Sequence, residues 1–156
     1  MRRNGAAGSL GLITVLLLGA GCAGTPAKDF PSSDAGSSIA LLALSMIGVP
    51  YRYGGASPRE GFDCSGLVFY TYASNGHVVP RTSWEQFNAA RKIALEDATA
   101  GDLLFFQDQE QLSHVGIYLG EGRFVHAPSS GDTVRLASID APYYQRHLAG
   151  VGRLIP

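Results

Sequence analysis

Apolar and polar positions along the chain change period several times, and each change predicts an element. Leu10 to Leu18 (LGLITVLLL) is an apolar run. Ile39 to Ile47 (IALLALSMI) is apolar nearly all round, which predicts a helix buried on most sides. Ser37 or Ser38 can cap it and Gly48 can end it. Pro50 to Gly61, rich in glycine, reads as a loop. A second helix is predicted from Cys64 to Ser74, closed by Asn75-Gly76. Beyond it the pattern shortens to alternation or brief apolar runs. Strands are predicted at 102–106, 114–119, 123–127, 133–136 and 150–154. Helices first and strands afterwards predict an α+β fold, with N-terminal helices packed on a central antiparallel sheet.

The first apolar run is too short to span a bilayer and follows Arg2 and Arg3, the flanks of an export signal. Small residues lead to Cys22, and Leu18-Gly19-Ala20-Gly21-Cys22 resembles a bacterial lipobox. The position next to the usual leucine differs, since Gly19 stands where such signals carry Leu. The resemblance implies a signal peptide over 1–21 and lipidation of Cys22, hence a bilayer as partner; plain secretion with a free or paired Cys22 is the alternative. Acyl chains on one cysteine suffice for anchoring. Ala23 after the cysteine implies sorting to the periplasmic face of the outer membrane. Residues 22–37, with Pro26 and Pro31, read as a tether, and a domain is expected over 38–156.

The 156 residues leave room for one domain, expected to be a monomer. Twelve basic side chains stand against thirteen acidic ones, and loss of Arg2 and Arg3 would leave ten against thirteen, a net charge of −3. No basic stripe stands out, so nucleic acid is not an expected partner.

Cysteine and histidine carry the candidate chemistry. Cys64 ends a glycine-dense loop and starts a helix, where unpaired N–H groups and the helix dipole favour a thiolate. Both effects predict a pKa below the free value of roughly 8.5. His114 alternates with Gly116 and Tyr118 on one strand face, and Gly120-Glu121-Gly122 turns the chain back through Phe124 to His126. With Leu119 opposite Arg123 and Tyr118 opposite Phe124, both histidines share a face, their Cα atoms about 7–8 Å apart. A thiolate, an imidazole base and a polar group on its second nitrogen make a nucleophilic triad. A zinc site formed by Cys64, His114 and His126 is the rival, lacking a nearby fourth ligand. No cofactor is expected. His77 and His147, without evident partners, read as surface residues, and Asp63 and Asp102 as structural ones.

In this order, Pro50–Gly55 (PYRYGG), Phe62–Val68 (FDCSGLV), Pro80–Ser83 (PRTS), Gly101–Phe106 (GDLLFF), Ser113–Gly120 (SHVGIYLG) and Phe124–Ala127 (FVHA) resemble the NlpC-type cell-wall cysteine peptidases. The resemblance runs from about Ile39 to Ile155 and implies a papain-like fold. It implies Cys64 as nucleophile, His114 as general base and His126 as third member. Tyr51 would help to hold the oxyanion, with Tyr53 as the rival in the same loop. Ser65, Tyr53 and Ser113 would line the substrate groove. The implied activity is hydrolysis of peptidoglycan stem-peptide or cross-link bonds at diaminopimelate. The short layout and the tail Ala141–Arg146 (APYYQR) favour cross-links, as in short murein endopeptidase lipoproteins of that family. An acyltransferase or amidase on the same scaffold, or a non-catalytic wall-binding lipoprotein, are the alternatives.

Overall fold

The computed structural model describes residues 35–129 and 131–155. The expected export signal, Cys22 and most of the expected tether lie outside the described residues. The first helix, α1 (Ala35–Ser45), starts three residues before the expected domain boundary and uses Gly36 as a buried contact. It is also less enclosed than its composition predicts. Ile39, Ala40 and Ala43 are buried, whereas Leu41, Leu44 and Ile47 are exposed. A single stripe therefore does the packing.

A two-stranded ribbon, β1 (Ala56–Ser57) and β2 (Gly61–Phe62), leads into α2 (Cys64–Ser74). Helix α3 (Ser83–Ala89) and strand β3 (Arg91–Ile93) follow. The remaining strands are β4 (Leu103–Asp108), β5 (Gln111–Gly120), β6 (Arg123–His126) and β7 (Arg135–Ser138). A short α4 (Pro142–His147) then delivers β8 (Leu148–Arg153). The six-stranded sheet has the order β3-β8-β4-β5-β6-β7, and every pairing is antiparallel. The α+β architecture, with N-terminal helices against an antiparallel sheet, is the one the sequence predicts.

Strand alternation gives the sheet two apolar faces. Leu103, Phe105, Val115, Ile117 and Val125 meet Ile39, Ala43, Leu67, Val68 and Tyr72 of the helices. Leu104, Phe106, Tyr118, Phe124 and Val151 form the other face, covered in part by Tyr144 of α4. Helix α4 is not among the elements that the pattern predicts, and it closes the face that carries the histidines.

Two local differences matter for the site. Tyr118 lies opposite Phe124 as expected, but Arg123 pairs with Gly120, so Leu119 is looped out. The expected strand at 133–136 is displaced to Arg135–Ser138 because Val134 and Asp132 pair with the loop before β1. Gly48 N–H donates to Val134 O, Val134 N–H to Val49 O, and Tyr51 N–H to Asp132 O, at 2.8–2.9 Å.

Asp102 confirms its structural reading. It is buried, and Arg153 grips it through Nε and Nη2 at 2.7 Å each, tying β8 to the start of β4. Removing one member of such a pair strands a buried charge. Arg153→Leu is therefore expected to cost about 3 kcal/mol of stability in urea unfolding; a midpoint equal to wild type would contradict that role.

Candidate active site

The start of α2 is held from several directions. Asp63 is its N-cap, accepting from Gly66 N–H at 2.6 Å and from Gly54 N–H at 2.9 Å. Arg81 donates to both Asp63 oxygens at 2.8 and 2.9 Å and to the Gly55 carbonyl at 3.2 Å. Burial alone would raise the Asp63 pKa, but Arg81 and the two backbone donors hold it below the usual carboxylate range. Gly66 must be glycine for a steric reason. A Cβ there would stand 2.0 Å from the Gly55 carbonyl oxygen, so the helix start rests directly on the glycine loop. Buried Gln86 of α3 adds a clamp, donating to Ser65 O and Pro80 O.

Cys64 sits at this helix start, part-buried against the core. Its thiol pKa departs upward, opposite to the direction its position predicts. Burial is the larger cause and the Asp63 charge adds to it, outweighing the N–H groups of Val115, Ser65 and Cys64 itself. The Val115 N–H places the sulfur against β5, at the residue following His114.

A bulge shapes that part of β5. Phe106 lies opposite His114 but Gln107 opposite Leu112, leaving exposed Ser113 as the extra residue. Bulges re-aim the neighbouring side chain. His114 Nε2 lies 2.8 Å from His126 Nδ1, with the rings edge-on at 5.0 Å. His126 is buried, and its Nε2 lies 3.2 Å from the Tyr144 hydroxyl. Tyr144 in turn lies near Arg135, which pairs with Asp132 at 3.1 Å. Gly116 leaves room for the Phe124 ring, which a Cβ would meet at 2.5 Å, so that ring floors the histidine pair.

Burial depresses both imidazoles, His114 to about 4 and His126 to about 3, the latter helped by the neighbouring His114 and Arg135 charges. No hydrogen bond joins Cys64 to His114 in this state. Thiol–imidazole pairs are often open until substrate tightens them. Among the described residues no cluster of three or more His, Cys, Asp or Glu is placed to hold a metal ion.

The other expected site residues fall around the sulfur. Tyr51 is half-buried, and burial, with acidic groups at Cys64 and Asp63 nearby, raises its pKa, keeping it a protonated donor. Tyr53 is 88% exposed. Ser65 is buried, its hydroxyl donating to Asp63 and accepting from Arg81. Two hollows meet at Ser113. One, of about 480 Å³, is lined by Tyr51, Tyr53, Asp63, Cys64, Ser65 and Arg81. The other, of about 560 Å³, is lined by His114, His126, Arg135, Tyr143 and Tyr144 among others. His77 and His147 do have partners, the Tyr72 ring edge and the Tyr143 ring and carbonyl.

Sequence reasoning passes over Arg81, Gln86, Arg135 and Tyr144 as site residues. Arg81 and Tyr144 stand inside the quoted blocks PRTS and APYYQR without a role of their own, and for Gln86 the signal is the capping box of Thr82 and Glu85 that announces α3.

Unfolded chains protonate histidine near 6.5, whereas these two folded imidazoles resist until about 4 and about 3. Stability that is complete above pH 6.5 is thus lost as pH falls through 4. Thermal melts between pH 7.5 and 4 should show this decline, and His126→Asn should make it shallower; an equally steep decline in the variant would contradict burial of a neutral His126.

The family model for NlpC/P60 matches residues 48–153. Over 117 residues the chain is 41% identical to murein DD-endopeptidase MepH of Escherichia coli, covering 72% of this chain and 43% of that protein. Over 126 residues it is 40% identical to the bifunctional muramidase/DL-endopeptidase CwlT of Bacillus subtilis, covering 79% of this chain and 38% of that protein. The chain thus spans less than half the length of these two relatives. A solved Staphylococcus aureus structure, described as similar to lipoprotein of the NLP/P60 family, superposes with a TM-score of 0.72 at 39% identity. It covers 80% of this chain and 42% of that one.

Proposed function

The chain belongs to the NlpC/P60 family, and on that premise we propose that it is a cysteine peptidase hydrolysing peptidoglycan stem-peptide or cross-link bonds at diaminopimelate. The observation that carries this reading is Cys64 at a helix start, its sulfur near the N–H of the residue that follows His114, a histidine itself bonded to a second histidine. The names of the relatives, a DD-endopeptidase and a DL-endopeptidase, support the substrate class.

The reaction follows from the protonation states. Burial raises the thiol and lowers the imidazole, so the resting pair is neutral. As Sγ attacks the scissile carbonyl, the thiol proton passes to His114 Nδ1. The oxyanion takes the Cys64 N–H and the Tyr51 hydroxyl, a choice over Tyr53 supported by the partial burial of Tyr51 and the exposure of Tyr53. Collapse breaks the C–N bond, His114 returns its proton to the leaving amine, and a thioester remains on Cys64. Water, deprotonated by His114, then releases the acyl fragment and restores the thiol. For Nδ1 to act as base, His114 carries its other proton on Nε2 and donates it to His126 Nδ1. His126 then donates from Nε2 to the Tyr144 oxygen, which makes Tyr144 a positioning residue. Ser65, held by Asp63 and Arg81, and Ser113 and Tyr53 at the rim line the groove.

Cellular placement forms part of the same proposal. The export-signal pattern and Cys22 support an enzyme acylated at that cysteine and held at the periplasmic face of the outer membrane.

Cys64→Ala is expected to abolish muropeptide release from purified sacculi while the thermal melt stays near wild type. Iodoacetamide should inactivate the enzyme and EDTA should not; persistent cleavage by the variant rejects the nucleophile, and EDTA sensitivity returns the zinc reading. Mass analysis of the products assigns the bond. Tyr144→Phe should lower kcat by about twofold to tenfold, the worth of one hydrogen bond; a change in KM with kcat unaltered would contradict positioning.

A further inference from the structure

The mechanism divides the groove into two sides. The group that protonates the leaving nitrogen must lie beside it, so the leaving fragment occupies the side of His114. The acyl fragment occupies the side of Cys64 and Tyr51. The two hollows that meet at Ser113 match this division, one containing the sulfur and the other both histidines.

Their charges differ. In the Cys64 hollow Arg81 is already gripped by Asp63, so the lining presents a balanced pair. Among the described residues lining the histidine hollow, Arg135 is the one permanently charged side chain, with no carboxylate beside it in the lining. Asp132 binds Nη1 of Arg135 from outside that lining, and the Tyr144 hydroxyl lies near the guanidinium. A guanidinium carries five N–H donors in a planar fork, so the Asp132 contact orients it and leaves donors for a ligand. The Arg135 side chain is half-exposed, so solvent and ligand can reach it. Tyr143, also exposed, adds an apolar wall with a polar rim.

We propose that the hollow bounded by His114, Arg135, Tyr143 and Tyr144 is the leaving-group subsite, and that Arg135 selects a leaving residue bearing a free carboxylate. This rests on the peptidase reading and specifies its substrate. Diaminopimelate, with two carboxyl groups, keeps at least one carboxylate on the leaving side unless it is amidated. A planar carboxylate matches the arginine fork and a neutral carboxamide does not.

Two synthetic substrates decide the matter, identical except that the leaving residue ends in a carboxylate or in a carboxamide. Wild type should favour the carboxylate in kcat/KM by about tenfold, a ratio consistent with one charge-assisted contact at a part-exposed site. Arg135→Gln should bring the ratio close to one, and Arg135→Lys, a point charge without the fork, should fall between. A wild-type ratio near one, or a preference retained in Arg135→Gln, overturns the subsite. Cleavage of neither substrate by wild type would instead be a failure of the peptidase reading. Binding then still tests the subsite: diaminopimelic acid and its diamide are titrated into the Cys64→Ala protein and followed by NMR at Tyr143 and Tyr144. Weaker binding of the diamide, erased by Arg135→Gln, supports the assignment, and equal binding of both rejects it.

Discussion

The Asp63 carboxylate fixes where the sulfur can be. It caps α2 through Gly66, reaches back to Gly54 in the preceding loop and takes both arms of the Arg81 guanidinium. Loop, helix start and the segment before α3 are thereby drawn to one point, one residue before Cys64. The negative charge that does this also opposes a thiolate next door. Position and acidity are therefore in conflict at Cys64. Burial decides the outcome in favour of a neutral thiol.

That outcome changes the character of the pair. A helix start alone suggests a preformed anion, but desolvation of sulfur and imidazole acts against charge on either. In the proposed mechanism, proton transfer then belongs to the attack itself rather than to the resting state. A buried neutral His126 suits such a pair. In the tautomer the proposed mechanism needs, it accepts a hydrogen bond from His114 without adding a carboxylate charge to an apolar floor of Phe106 and Phe124.

Much of this was legible in the residues, for identifiable reasons. The histidines share a face because period-two alternation and the Gly120–Gly122 turn constrain the register, and Tyr118 opposite Phe124 follows directly. Looped-out Leu119 and the bulge at Ser113 were not legible, since the pairing of β4 with β5 decides the latter and local propensity is silent on it. Helix α3 is seven residues long and gives little periodicity, although its capping box stood in the sequence. Thr133 and Val134 read as strand, but β-propensity does not say which neighbour a strand will find. They pair with Pro50 and Val49 instead of extending β7. The upward thiol pKa could not be read either, because burial is a tertiary property.

The pairing of 48–51 with 132–134 has a consequence for how such a groove can diversify. Tyr51 on one rim and Arg135 on the other are joined through three main-chain hydrogen bonds, so the two rims form one mechanical frame around the reacting atoms. An insertion in either segment would shift its counterpart as well. Transplanting a new preference into this scaffold therefore means exchanging both segments together, as one cassette.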